Sequence, residues 1–408
     1  MTVPGDPGPS RGTQRAVERE ERAAHQAAER VAAAQQRELL RPHVAEWFGH
    51  RVFPAVASGA QARADQLSQT CPFLSRVAER TTQCIKSENS KGVCTISAGS
   101  NGPRQDWLVC PHRALDDVLL DTMVKRLFGI APDVKVGIIP VTNLAVPAVR
   151  DRLVEAVQNP AAPRQFITFQ QYFGGEISLP RSPASPELSF DATVVEVVAD
   201  PDGPENAVRL DRYGVIEMQT TDTHGSYRHA VEALRSALDL HGSDFAEQIA
   251  AHPEWPGRRV EGPNISNVFK RTFYQVMFKF QITKRSSSAG CILALPRPVW
   301  DSWLPFLGNP QIVNMGDGTH QLAAPGEMVD ASSIPVPSWI YVFDVDDEPP
   351  ASGGPTPIDV DLIIATDSPT LSRLALEVAP TNAIGDSQDD DTVLLALHRR
   401  VGQFLAVG

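Results

Sequence analysis

The sequence predicts a mixed α/β protein with a small cysteine-bearing unit ahead of its main body. Three observations lead there. Short β-branched and aromatic runs (190–195, 213–216, 339–345, 358–364) alternate with stretches of helical period (113–128, 147–158, 226–240). Cys71, Cys84, Cys94 and Cys110, out of five cysteines in all, crowd one region. At 408 residues and 42% hydrophobic content the chain can bury a large core, split over two or three units.

Composition narrows the function classes. A charged content of 21% is ordinary for a soluble globular protein. The net charge of −12 argues against a chain coated in basic residues, although a local basic cleft can still meet DNA. No long uncharged apolar run suggests a membrane span. The N-terminus has no apolar signal core, so a cytoplasmic location is expected. An odd number of clustered cysteines suits metal binding or free thiols better than a secreted disulfide frame.

Residues 1–13 are rich in Pro and Gly, and disorder is expected there. Residues 14–40 are rich in Ala, Glu, Arg and Gln and read as a solvated helix. Glu18, Glu20 and Glu21 offset its arginines, which argues against a basic DNA-binding arm. Pro42 closes this extension, and Trp47 and Phe48 open the packed body. The four cysteines follow. Soft thiolates suit a tetrahedral Zn or Fe site. Their spacing lacks paired C-x-x-C, so four buried thiols is an equal alternative. His112 is either a substitute ligand or, more simply, a surface residue at the start of helix 113–128. Cys291 lies in an apolar run and reads as core.

Residues 112–186 lead into the centre. Gly129 stops the helix 113–128. A buried strand is expected at 136–139, a helix at 147–158 with Pro147 in its first turn, and a strand at 166–173. Gly174 and Gly175 end that strand and let backbone approach a site closely. Glu176 follows them and by itself reads as an exposed loop carboxylate.

The stretch 187–228 reads strand, turn, strand, polar knuckle, helix. Asp191 lies on the first strand, and Glu217 and Gln219 end the second. Strand residues two apart face one side, so Glu217 and Gln219 point together, and pairing can bring Asp191 beside them. Mg²⁺ wants hard carboxylate oxygens. Such an ion polarises a phosphate and activates water, so this is the layout of a metal-dependent phosphodiesterase. His224, in the knuckle, is a general base, a phosphate contact or a supporting cap. Arg212 either forks onto a guanine edge or phosphate, or is an ordinary surface arginine.

Residues 261–285 form the basic element. Asn264 reads as a helix cap, with Phe269, Phe273, Val276, Met277 and Phe280 as the core-facing stripe. Lys270, Arg271, Lys279, Lys284 and Arg285 either track a phosphate backbone or make a solvated face. Trp300 and Trp303 begin another helix. A strand at 339–345, a linker at 349–357, a strand at 358–364, a helix at 371–378 and an amphipathic tail helix at 392–406 complete the chain. The expected units are an extension (1–42), the cysteine unit (43–128), the core (129–348), and a linker with the C-terminal strand and helix (349–408).

Longer runs carry a resemblance. They are 46–52 (EWFGHRV), 71–74 (CPFL), 106–111 (DWLVCP), 174–176 (GGE), 185–187 (SPE), 212–215 (RYGV), 224–227 (HGSY) and 261–264 (EGPN) through Tyr274 and Gln275. On these the chain resembles the NotI family of type II restriction endonucleases, across roughly residues 45 to 385. The resemblance implies a PD-(D/E)xK nuclease core, a mixed sheet flanked by helices, with an N-terminal four-cysteine metal-binding subdomain. It implies a homodimer making Mg²⁺-dependent double-strand cuts at a palindromic, GC-rich site similar to GCGGCCGC, and a cognate DNA methyltransferase in the same bacterial system. It makes Cys71, Cys84, Cys94 and Cys110 the ligands of a structural iron, with zinc as the alternative. Asp191 and Glu217 match the acidic pair, and Glu176 an additional active-site acid. Gln219 stands where most such nucleases carry Lys; the family is similar in having Gln there. Arg212, Lys270 and Arg271 are the expected DNA contacts. Two other readings stay open on the same fold: a non-catalytic DNA-binding protein and a structure-specific repair nuclease.

Overall fold

A computed structural model describes residues 40–99, 103–115, 117–183, 185–221, 225–329, 338–384 and 392–404. The expected extension (up to residue 39) and His224 lie outside these residues. Among the described residues no helix is long and apolar enough to cross a membrane.

The first sheet is antiparallel, in the order β2-β1-β3-β4, from β1 (His43–Trp47), β2 (His50–Arg51), β3 (Val93–Ala98) and β4 (Gln105–Leu108). Helices α1 (Ala60–Ser68) and α2 (Pro72–Val77) fill the span between β2 and β3. Helix α3 (Asp117–Leu127) follows a 3₁₀ turn at Pro111–Ala114, so the helix expected from 113 starts later. It packs on the second sheet, with Leu119, Met123, Val124 and Leu127 buried there.

The second sheet has nine strands in the order β12-β13-β15-β14-β11-β10-β9-β6-β5. They are β5 (Val136–Pro140), β6 (Arg164–Gln170), β9 (Ala192–Ala199), β10 (Val208–Met218), β11 (Ser288–Pro296), β12 (Gln311–Asn314), β13 (His320–Ala323), β14 (Ser338–Val345) and β15 (Ile358–Thr366). A small hairpin of β7 (Ile177–Leu179) and β8 (Leu188–Phe190) stands beside it. The sheet is mixed: β10, β11 and β14 run parallel, β9 runs against both its neighbours, and β15 runs against β14 but parallel to β13. Helices flank both faces, as the α/β prediction requires.

Period two explains the layering. Val215, Leu293, Leu295, Ile340 and Val342 face one core, and Ile216, Ile292, Ala294, Tyr341 and Phe343 face the other. The first core is covered by α5 (Arg228–His241), α6 (Phe245–Ala251), α7 (Ile265–Phe280) and α8 (Arg297–Trp303). The second is covered by α3. Cys291 is buried in β11, as its apolar run suggests.

Three expected elements differ. Asp191 is not inside a strand but forms the bend between β8 and β9. The strand expected at 166–173 ends at Gln170, because Gly174 and Gly175 turn the chain with positive φ. The helix expected at 371–378 is longer, running through α9 (Ser368–Arg373), a π turn (Leu374–Val378) and α10 (Ala379–Ile384). In α11 (Thr392–Val401), Val393, Leu394, Leu395 and Leu397 are all exposed.

Two buried arginines join the sheets. Arg51 donates to the carbonyls of Val345 (3.0 Å) and Asp346 (2.7 Å) and pairs with Asp106. Arg113 donates to Thr356 O at 2.6 Å and pairs with Glu46 at 2.9 Å.

Candidate active site

The register of β9 and β10 builds the centre. Ile216 pairs with Ala192, so Glu217 lies one step further on, beside Asp191. Leaving the ladder at the bend turns the Asp191 carboxylate inward, where its Oδ2 accepts the Met218 N–H at 2.9 Å. Glu217 shares the face of Val215, so the alternation that buries Val215 also buries the acid. Glu217 Oε2 accepts a hydrogen bond from Lys279. Its other oxygen, Oε1, is buried with no hydrogen-bond partner in the protein. Burial, and next the Asp191 carboxylate, push Glu217 up to about 8, against the pull of Lys279.

Gln219 lies just past the end of β10, and its N–H still bonds Ala294 O at 3.0 Å. Its side-chain oxygen accepts from Thr272 and its amide nitrogen donates to Thr220 O. Asp191, Glu217, Gln219, Thr272, Gln275 and Lys279 line one cavity of about 160 Å³. A second hollow of about 180 Å³ continues from Gln219 past Asn264, Arg271 and Gln275. A larger cavity, about 530 Å³, lies elsewhere beside Glu232, His241, Trp255 and Arg258, and does not gather several carboxylates.

Glu176 is not among the residues that line the acid cavity. It is exposed, after Gly174 (φ 96°) and Gly175 (φ 86°). A Cβ on Gly174 would meet Val141 Cγ1 at 2.0 Å, so the turn needs glycine. Burial and then Asp191 push the Glu176 carboxyl up, and Lys279 pulls the other way, so all three charges act on one place.

Of the expected DNA contacts, Lys270 and Arg271 are exposed on α7, and Arg271 borders the second hollow. Arg212 lies with its guanidinium 5.8 Å from the centre of the Phe128 ring. Lys279 departs from its expectation. It does not track solvent: it is 5% exposed and faces the acids. The signal for this was its position. Thr272, Val276 and Lys279 follow i, i+4, i+7 and share the buried face of α7.

The cysteines gather in the first unit. Cys71 precedes α2, Cys94 lies on β3, and Cys110 precedes the 3₁₀ turn. Cys84 Sγ accepts the Gly92 N–H at 3.4 Å, and Cys94 Sγ bonds Gly92 O at 3.4 Å. Burial pushes Cys71 up to about 12, with Cys110 and Cys84 adding to it, and raises Cys94 through burial, Cys110, Glu46, Cys71 and Cys84. The four thiols thus feel one another. His112 is half-buried edge-on to Tyr172, and burial with the Lys86 charge pushes it down to about 4. Among the described residues, which include the four cysteines and Glu176, Asp191 and Glu217, no group of three or more His, Cys, Asp or Glu side chains is arranged so that it could hold a metal ion.

Comparison with known protein families gave no match, and neither did comparison with curated proteins. The likeness to the NotI family rests on the sequence runs quoted above.

Proposed function

We propose that the chain is a type II restriction endonuclease, a site-specific deoxyribonuclease on a PD-(D/E)xK core. The observation that carries the reading is the pairing of half-buried Asp191 with buried Glu217, with Glu217 Oε1 left unsatisfied beside a polar cavity. Burying unpaired carboxylate oxygen is costly unless a cation or donor completes it. Asp191 and Glu217 fit a Mg²⁺ ion, with Glu176 as a further oxygen at the rim. Bound there, the ion would supply a Lewis acid for the phosphodiester and an activated water.

The protein's own groups do the positioning. Gln219, held by Thr272 and Thr220 O, orients water or phosphate by hydrogen bonding without carrying charge. Lys270 and Arg271 give the exposed side of α7 the charge to meet a DNA backbone. Two copies on a two-fold DNA site would place one such centre on each strand, giving a homodimer and a double-strand cut at a palindrome, GC-rich by the family resemblance. A host using it needs a methyltransferase for the same site. Four thiolates suit a structural iron, or zinc, bracing the first unit.

The test is digestion of a large sequenced GC-rich DNA by the purified protein with Mg²⁺, beside Asp191→Ala, with the fragment ends sequenced. Discrete ends at one palindrome are expected, and cleavage falls at least about a thousandfold in a folded Asp191→Ala protein. No cleavage by wild type would favour a DNA-binding protein; ends set by DNA structure would favour a repair nuclease.

A further inference from the structure

We propose that Lys279 is the cation of this phosphoryl site, supplying from α7 the charge that residue 219 lacks. The inference rests on the nuclease reading above. Gln219 is neutral, and both ends of its amide are engaged by Thr272 and Thr220 O. No charge can come from the position two residues after Glu217. Lys279 occupies a position on α7 that its neighbours Val276 and Phe280 use for core packing. A lysine is almost never buried without a partner. Here the ammonium nitrogen lies 5.9 Å from the centre of the Phe190 ring and meets Glu217 Oε2 on the wall of the acid cavity. Its charge also acts on the Glu176 carboxyl. The ammonium is thus held by helix packing on one side and by the acids on the other, which is preorganisation.

The chemistry gives that charge a task. Water forms a new P–O bond, and the P–O bond to the leaving sugar oxygen breaks. The attacking water releases one proton to bulk water, and the leaving oxygen takes one from it. Negative charge gathers on the phosphoryl oxygens between these events. A fixed ammonium on the cavity wall stabilises it there.

The test compares wild type with Lys279→Gln, which can still hydrogen-bond Glu217, and with Lys279→Met should the first variant fail to fold. Cleavage of GC-rich plasmid DNA and Mn²⁺ binding by electron paramagnetic resonance are both measured. The cleavage rate is expected to fall at least about a hundredfold. Mn²⁺ affinity is expected to hold or to tighten by up to about tenfold, because a competing positive charge leaves the carboxylates. If wild type cuts and the folded variant cuts within about threefold of it, Lys279 is not the site's cation, and the nuclease reading survives. Weaker Mn²⁺ binding in the variant would give Lys279 a merely structural part in placing Glu217 and overturn the inference. No cleavage by wild type would overturn the nuclease reading and this inference together.

Discussion

Buried charge at single residues shapes both the site and the scaffold. Period two is a property of the strand backbone, so the joint direction of Glu217 and Gln219 could be read without knowing the fold. Asp191 could be placed beside them for the same reason, since the neighbouring strand fixes what lies opposite. Lys279 could not be read so readily. Its charge suggested solvent, and only packing of α7 on β10 and β11 decides which helix face is buried. Glu46 makes a comparable point in the scaffold. Burial opposes its charge, but Arg113 and Arg51 more than offset that and hold its carboxyl below the ordinary 4.5. Glu46→Ala would leave the buried Arg113 guanidinium without its carboxylate partner and cost about 3–5 kcal/mol of stability at neutral pH. A group whose folded pKa is lowered contributes in full above its unfolded value and loses the contribution as pH falls through the folded one. Thermal melts should therefore show a constant gap between wild type and Glu46→Ala from neutral pH to about 5, narrowing below it.

At the scale of elements, α7 does more than its apolar stripe suggested. Phe269, Val276 and Phe280 fix it against the sheet, and the polar residues in that face, Thr272 and Lys279, serve the site. Thr272→Val keeps the shape and removes the hydroxyl that orients Gln219. Cleavage should drop about tenfold, near 1.4 kcal/mol, with little change in melting temperature. An unchanged rate would mean Gln219 needs no such support. The helix 147–158 and the strands 339–345 and 358–364 were legible because period and boundary residues agreed there. The π turn at Leu374–Val378 carried no local signal, and the bend at Asp191 is imposed by pairing with both β10 and β7.

Across the whole molecule, the cysteine unit is bolted to the large sheet by buried hydrogen bonds over long sequence distances. Arg51 reaches Val345 and Asp346, and Arg113 reaches Thr356. Such links cannot be read from sequence, since nothing local marks an arginine as buried. They explain why the segment around 346–358 acts as a seat for the first unit. Arg51→Met would leave Asp106 with Arg104 alone and the Val345 and Asp346 carbonyls without their donor. Hydrogen exchange in β1 and β3 should speed up by at least about a hundredfold, while β10 and β11 keep their protection. Equal loosening of both sheets would mean that they unfold as one unit.

Asp191 and Glu217 are the cation-holding pair of the proposed function, and diffraction can look at that pair directly. Crystals soaked in Mn²⁺ and measured at the manganese absorption edge should show an anomalous peak within coordination distance, about 2.2 Å, of Asp191 and of the unpartnered Glu217 Oε1. A protein that cuts DNA yet binds manganese only away from these two carboxylates would contradict that assignment.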